Sequence, residues 1–188
     1  ELKGADLFAP LPPTEDCAIC FVPLSRKKSE TSYQACCGNE ICWACYKENE
    51  ASIKKQNEEK NAGKKLALTC PFCREPEPTC ADEEFARLQA RRLQNDRIAF
   101  TMMGGLYRKG QLMPKDELKA LDYYIRATEL GSAEACGCIG NCYDKGEGVA
   151  VDKDRAALFE RGGALRGAID ARYNIGCTEY YILGNHEV

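Results

Sequence analysis

The chain has 188 residues, of which 29% are charged and 44% apolar, and it carries a formal charge of −3. That length holds one ordinary domain or two small ones, and the composition is ordinary for soluble protein. No apolar run approaches the roughly 20 residues that cross a bilayer, which excludes a membrane-spanning helix.

Residues 1–13 read as a tail. Lys3, Gly4, Asp6 and three prolines interrupt them, so they offer no apolar signal segment. A spaced cysteine framework follows: Cys17-x2-Cys20, Cys36-Cys37, Cys42-x2-Cys45 and Cys70-x2-Cys73. A Cys-x2-Cys knuckle presents two thiolates to one ion, and an all-cysteine tetrahedral site needs four. Three knuckles and one adjacent pair therefore supply two complete sets, the ligands for two zinc ions. A disulfide scaffold is the competing reading, but it belongs to short secreted chains. The total of 13 cysteines is odd, which would strand a thiol in an oxidising compartment, so cytosol or nucleus is expected. Eight thiolates and two zinc ions would take the net charge from −3 to about −7. Lys and Arg are also mixed with Glu rather than set in a basic stripe, and nucleic acid is an unlikely partner.

The lone tryptophan, Trp43, reads as core between the metal sites, and the charged run Lys54 to Lys65 as a solvated helix and loop. Pro71, Pro76 and Pro78 close the cysteine-rich segment, and a boundary is expected near residue 80. Asp82 to Leu93 then reads as a helix with Phe85, Leu88 and Leu93 as its apolar positions.

The second half repeats with a gapless period of 36 residues. Ala99, Ala135 and Ala171 align, as do Met103, Ile139 and Ile175, and Gly104, Gly140 and Gly176. Two copies continue the match through Tyr107 and Tyr143, Gly110 and Gly146, Asp116 and Asp152, Ala120 and Ala156, Tyr123 and Phe159, Gly131 and Gly167. Such a period signals a solenoid of helical hairpins. Ala and Gly in the first helix allow close approach of a neighbour. Gly110 and Gly146 can end that helix, and Asp116 and Asp152 can cap the next. Tyr123 and Phe159 are expected to fill the groove inside each hairpin. The third copy stops near Leu183 and Gly184, which leaves about two and a half repeats.

The stretch Gly140-Asn-Cys-Tyr-Asp-Lys-Gly-Glu-Gly-Val149, followed by Asp152, Ala156 and Phe159, resembles the Sel-one-like repeat, a relative of the tetratricopeptide repeat. The resemblance covers residues 95–188 and implies an adaptor surface that scaffolds protein complexes.

Residues 14–79 resemble a RING finger: Cys17-Ala-Ile-Cys20, Cys36-Cys-Gly-Asn-Glu-Ile-Cys-Trp-Ala-Cys45 and Cys70-Pro-Phe-Cys-Arg74 reproduce the order of RING ligand pairs. The resemblance implies a cross-brace. Cys17, Cys20, Cys42 and Cys45 would hold the first zinc, and Cys36, Cys37, Cys70 and Cys73 the second. The commonest RING has a histidine where Asn39 stands, and the single histidine, His186, lies far away, so the module is all-cysteine, as in the Not-four type. Adjacent Cα atoms are only about 3.8 Å apart, so aiming Cys36 and Cys37 at one ion needs a bent backbone, for which Gly38 is suited. Cys80 is the alternative to Cys36 as eighth ligand.

A RING that acts as a ubiquitin ligase has no nucleophile of its own; it binds a ubiquitin-conjugating enzyme and favours the reactive geometry of its ubiquitin thioester. By resemblance Ile19 and Pro71 fall on the conjugating-enzyme surface, and Arg74 matches the arginine that bridges enzyme and ubiquitin. Plainer readings stand beside these: Ile19 as knuckle packing, and Arg74 as a solvated residue near Glu75. Asn49 occupies a helix position that is often aromatic or aliphatic in active members. Of the remaining cysteines, Cys136, Cys138 and Cys142 align with Phe100, Met102 and Leu106 and read as small apolar packing. No phosphate loop, Ser/His/Asp set or paired-carboxylate site is present.

The expected fold is a small zinc-bound cross-brace RING domain, α+β and metal-stabilised, at 14–79, then a linker helix at 80–94. An all-α solenoid follows at 95–188. The expected function is a RING-type ubiquitin ligase whose repeats recruit a substrate or scaffold. The alternative is a noncatalytic zinc-binding interaction adaptor.

Overall fold

The computed structural model describes residues 13–59 and 66–182, with side chains as far as residue 175 except that of Lys28. The tail before Pro13, residues 60–65 of the charged run, the side chain of Cys177, the repeat end at Leu183 and Gly184, and His186 lie outside the described residues. By its internal contacts the chain divides between Arg91 and Arg92 into a cysteine-rich unit and a helical unit.

The cysteine-rich unit is built on a hairpin. A short 3-10 turn, Lys28–Glu30, leads into β1, Thr31–Gln34, which pairs antiparallel with β2, Asn39–Cys42. Thr31 faces Cys42 and Gln34 faces Asn39, so Ala35, Cys36, Cys37 and Gly38 form the loop. The N–H groups of Cys37 and Gly38 both donate to the Gln34 carbonyl, at 3.1 and 2.7 Å, and the chain then leaves through Gly38 at φ +77°. That left-handed conformation favours a residue without Cβ. Ile41 of β2 is fully buried against Cys17 and Leu24, the small apolar centre of this unit.

Helix α1, Trp43–Glu59, buries no residue fully. Half-buried Cys45 and Tyr46 pack on the Cys17, Leu24 and Ile41 cluster, and polar contacts add to this. The Tyr46 hydroxyl donates to Glu77 at 2.9 Å, and the Asn49 side-chain amide donates to the Thr69 carbonyl at 2.8 Å. Asn57 exchanges two hydrogen bonds with the backbone of Leu66, at 3.0 and 2.6 Å. Trp43 is therefore not core: it is 42% exposed, stacks on Tyr46 with ring centroids 5.1 Å apart, and carries the Lys47 ammonium 4.9 Å over its ring.

Helix α2, Ala81–Leu93, belongs to the cysteine-rich unit as far as Arg91. Leu88 is 1% exposed and Phe85 half-buried, but Leu93 is 77% exposed. Phe85 and Leu88 are three residues apart and share a face; Leu93 is five further on, about 140° round the helix, and points to water.

The helical unit follows its period closely. Helices α3, Arg97–Lys109, and α4, Glu117–Glu129, recur as α5, Ala133–Lys145, and α6, Lys153–Leu165, with starts displaced by 36 from 97 to 133 and from 117 to 153; α7, Ile169–Ile182, begins the third copy. Neighbouring helices pack in chain order, α3 on α4, α4 on α5, α5 on α6 and α6 on α7. Asp116 and Asp152 cap α4 and α6, each accepting an N–H three residues on at 2.9 Å. Gly110 and Gly146 end α3 and α5 in the left-handed region. Two further caps recur at the same period: Asp96 accepts from Ile98 and Ala99, and Ser132 from Ala135.

Ala99, Ala135 and Ala171 are all buried, at 0, 0 and 4% exposure. Tyr123 and Phe159 sit in the groove between the two helices of their hairpins, as expected, without being its most buried rings. They are half-buried and stack on Tyr107 and Tyr143, at 5.3 and 5.7 Å between centroids. The interior ring is Tyr124, 2% exposed, and a Cβ on Gly104 would stand 2.6 Å from its Cε1. At the matching position of the next repeat stands Glu160, and a Cβ on Gly140 would meet its Cγ and the Ala156 carbonyl, both at 3.2 Å.

Candidate metal centres

Two arms of the cysteine-rich unit, residues 15–24 and 68–77, share one backbone design at an offset of 53 (15 to 68, 24 to 77). In the first arm Cys17 N–H donates to the Val22 carbonyl, Phe21 N–H to Cys17 and Leu24 N–H to Glu15, at 2.9, 3.0 and 2.8 Å. In the second, Cys70 donates to Glu75, Arg74 to Cys70 and Glu77 to Leu68, at 2.8, 2.9 and 2.8 Å. A bridge joins Asp16 to Pro23 and another joins Thr69 to Pro76. The residue after each second cysteine, Phe21 or Arg74, takes a positive φ of 57° or 66°. A non-glycine residue there costs about 1 kcal/mol, and the flanking bonds of each arm hold it.

This design gathers the eight cysteines into two sets. Cys17, Cys20, Cys42 and Cys45 form one, and Cys36, Cys37, Cys70 and Cys73 the other; in each, all four sulfurs lie within 4.8 Å of one another. Along the chain the sets alternate, arm, loop, hairpin end, arm. Sulfur separations of 3.8 Å for Cys20 and Cys42, 3.9 Å for Cys37 and Cys70, and 3.4 Å for Cys36 and Cys73 set the scale. Four sulfurs at about 2.3 Å from one tetrahedral ion lie about 3.8 Å apart, whereas a disulfide would need about 2.0 Å. The donor set thus fits a thiophilic divalent ion of zinc's size. Cys80 is exposed and stands in neither set, so the fourth sulfur of the second set is Cys36.

Charge makes the same point. Burial pushes the Cys17 thiol up, but N–H groups of Cys20, Cys42 and Ile19 outweigh it and bring the group down to about 6. The Cys42 N–H lies 3.3 Å from that sulfur. Burial and then neighbouring sulfurs push Cys36 and Cys45 far up. Four thiols this close cannot all ionise unless a cation compensates them.

The other residues singled out from sequence are placed as follows. Ile19 is half-buried, packed on Cys17, Leu24 and Ile41, and Pro71 is half-buried beside Cys70; Arg74 is exposed. Asn49 is committed to its bond with Thr69. Three exposed apolar residues went unforeseen: Phe21 at 76%, Val22 at 57% and Phe72 at 51%. No sequence pattern marks them: at the offset of 53 Phe21 and Val22 face Arg74 and Glu75, and Phe72 faces the half-buried Ile19. In the helical unit Cys142 is 1% exposed in the core and Cys138 packs on it, so these two are apolar packing; Cys136, also 1% exposed, differs from that expectation, because its sulfur accepts from the Arg166 guanidinium at 2.9 Å and lies 3.6 Å from the Ser132 carbonyl. Among the described residues no helix is long and apolar enough to cross a membrane.

No family model matches the chain. Over 95 residues, 50% of this chain, it is 32% identical to the alginate biosynthesis protein AlgK of Azotobacter vinelandii, and it spans 20% of that relative's length. Among solved structures, a Sel1 repeat protein from Oxalobacter formigenes matches with a TM-score of 0.52 at 33% identity, over 56% of this chain and 42% of its own. A second, c5321, is a protective antigen present in uropathogenic Escherichia coli strains and displays an SLR fold. It matches with a TM-score of 0.50 at 26% identity, over 55% of this chain and 22% of its own. The helical unit, α3 to α7, is a solenoid with the Sel1-like repeat fold.

Proposed function

We propose that residues 14–79 are a RING-type zinc module and that the protein is a ubiquitin ligase whose repeats bind a substrate or scaffold. The observation that carries the reading is the alternation of the two four-cysteine sets along the chain, which is the cross-brace order. Zinc would hold the arms and the hairpin in register and supply no chemistry to a substrate. Cys17, Cys20, Cys42 and Cys45 would bind one ion, and Cys36, Cys37, Cys70 and Cys73 the other.

What the chain's own residues contribute is positioning. Ile19 and Pro71, with exposed Phe21 and Phe72, offer apolar area for a ubiquitin-conjugating enzyme. Arg74 holds an exposed guanidinium directly after the last ligand, where it can bridge that enzyme and its ubiquitin. The repeats supply a second surface for a protein partner. Cytosol or nucleus is the fitting compartment, because free thiolates must be available to the metal.

The test is discharge of ubiquitin from a loaded conjugating enzyme across a broad panel. Wild-type protein accelerates discharge with at least one enzyme, Ile19→Ala weakens binding of that enzyme, and Arg74→Ala slows discharge with zinc content unchanged. Discharge no faster with the protein than without it would favour the noncatalytic zinc-binding adaptor. Asn49 speaks for that second reading, because its side chain is spent on the Thr69 carbonyl where active members often present an apolar group.

A further inference from the structure

Helix α2 carries no cysteine of either set, yet it reaches the loop that carries two of them. The guanidinium of Arg91 fills the space that a Cβ on Gly38 would occupy, with Nη2, Cζ and Nε all crowding that point. Gly38 directly follows Cys37, and its φ of +77° selects glycine; the missing Cβ is what lets the guanidinium lie against this backbone. Leu88, three residues earlier on the same face of α2, is 1% exposed, so the face that carries Arg91 is turned inward. A divalent ion held by four thiolates leaves the set with two negative charges, and the loop supplies half of those thiolates through Cys36 and Cys37.

We propose that Arg91 is a positioning residue of the second set: its guanidinium braces the Cys36-Cys37-Gly38 loop and offsets the set's negative charge, slowing loss of the second zinc. The inference rests on the reading of both sets as zinc sites. It also gives α2 a part in the metal module, where the sequence suggests only a linker. Arg91 acts through the loop and through its charge, and it ligates nothing.

The whole chain, loaded with zinc, is challenged with a chelator and N-ethylmaleimide, and the alkylated cysteines are mapped by mass spectrometry. Release from Cys36, Cys37, Cys70 and Cys73 is then read separately from release at Cys17, Cys20, Cys42 and Cys45. Arg91→Gln keeps hydrogen-bonding capacity without the charge. It should release the second ion on the order of tenfold faster and leave the first unchanged, the scale usual for outer-shell partners. Arg91→Lys should restore most of the retention. Release from the wild-type second set should quicken with ionic strength, and that dependence should flatten in Arg91→Gln. Unchanged release in Arg91→Gln, equal loss from both sets, or an Arg91→Lys as leaky as Arg91→Gln overturns the role of Arg91 alone. Wild-type protein that holds fewer than two zinc ions overturns the zinc reading and this inference with it.

Discussion

The cysteine-rich unit and the helical unit are of similar length, yet they are held together by different means. In the first, the fully buried apolar side chains among the described residues are few, Ile41 and Leu88 with the sulfurs of Cys17 and Cys70, and its longest helix, α1, buries none of its residues fully and only partly covers Cys45 and Tyr46. In the second, a buried core runs from α4 into α5 through Leu121, Tyr124, Ala127, Ala135, Ile139 and Cys142. A unit with so few fully buried apolar side chains gains little from packing, and metal-ligand sets that join distant points of the chain, as proposed for these cysteines, can supply the rest. A repeat needs only its neighbours, so its stability is a sum of local terms.

The largest expected effect breaks this comparison at its root. Chelation should unfold residues 13–91 and spare α3 to α7. The check is metal analysis, giving two zinc ions per chain, alongside circular dichroism, in which the repeat helices persist after chelation. Cooperative loss of both units would show that the helical unit lacks a core of its own.

Within the metal module, Cys37→Ser should cost one zinc and disorder the hairpin loop, while Cys80→Ser and Cys138→Ser leave the content at two. Metal counting on the three variants decides it. A Cys37→Ser protein that keeps both ions while Cys80→Ser loses one would replace the adjacent pair in the second set.

In the helical unit the expected effects are those of packing. Tyr124→Ala should cost about 3–5 kcal/mol, the usual range for emptying a buried aromatic site. Gly104→Ala should cost about 1–3 kcal/mol, because the new Cβ meets a buried ring that cannot swing away. At Gly140 the crowding is milder, 3.2 Å to a carbonyl and to the flexible Glu160 chain. There the gain of about 1 kcal/mol in helix propensity from glycine to alanine should leave the substitution near neutral. Chemical denaturation of the repeat helices measures all three. Equal costs at Gly104 and Gly140 would show that Tyr124 does not set the difference.

How much of this was legible in the sequence follows from which features recur. Asp116 and Asp152, Gly110 and Gly146, and the buried alanines repeat at the period, and each performs the role that its residue type suggests. Tyr124 does not repeat, since Glu160 takes its place, so the period marks Tyr123 and Phe159 in the groove but not the buried ring beside them. The cysteine spacing marks the eight sulfurs that come together and the resemblance their sorting into two sets, but little in either marks the paired arms. At an offset of 53 only the cysteines and Pro23 with Pro76 are shared, and the likeness lies in backbone bonds. Trp43 misleads for a related reason: a lone aromatic beside a cysteine of the framework looks like core, but on α1 it is Cys45 and Tyr46 that pack on the small apolar cluster, with Tyr46, Asn49 and Asn57 adding hydrogen bonds.

The smallest expected effect lies where the period lapses. Asp96 and Ser132 cap α3 and α5, and the third copy has Ala168 at that position. The backbone there is already arranged as in the second copy: Ala168 N–H donates to the Gly163 carbonyl at 2.9 Å, as Ser132 N–H does to Ala127 at 2.9 Å. Only the side-chain acceptor is missing, so the first N–H groups of α7 lack the partner that Ser132 gives Ala135. Ala168→Ser should supply it and stabilise α7 by about 0.5–1 kcal/mol, the lower part of the range for an N-cap. Hydrogen exchange reads this directly: amides at Asp170 and Ala171 should slow by a few-fold, while those of α3 and α4 keep their rates. Unchanged exchange in the first turn of α7 would show that the third copy starts in a geometry of its own, and the period would then describe two repeats and a separate helix.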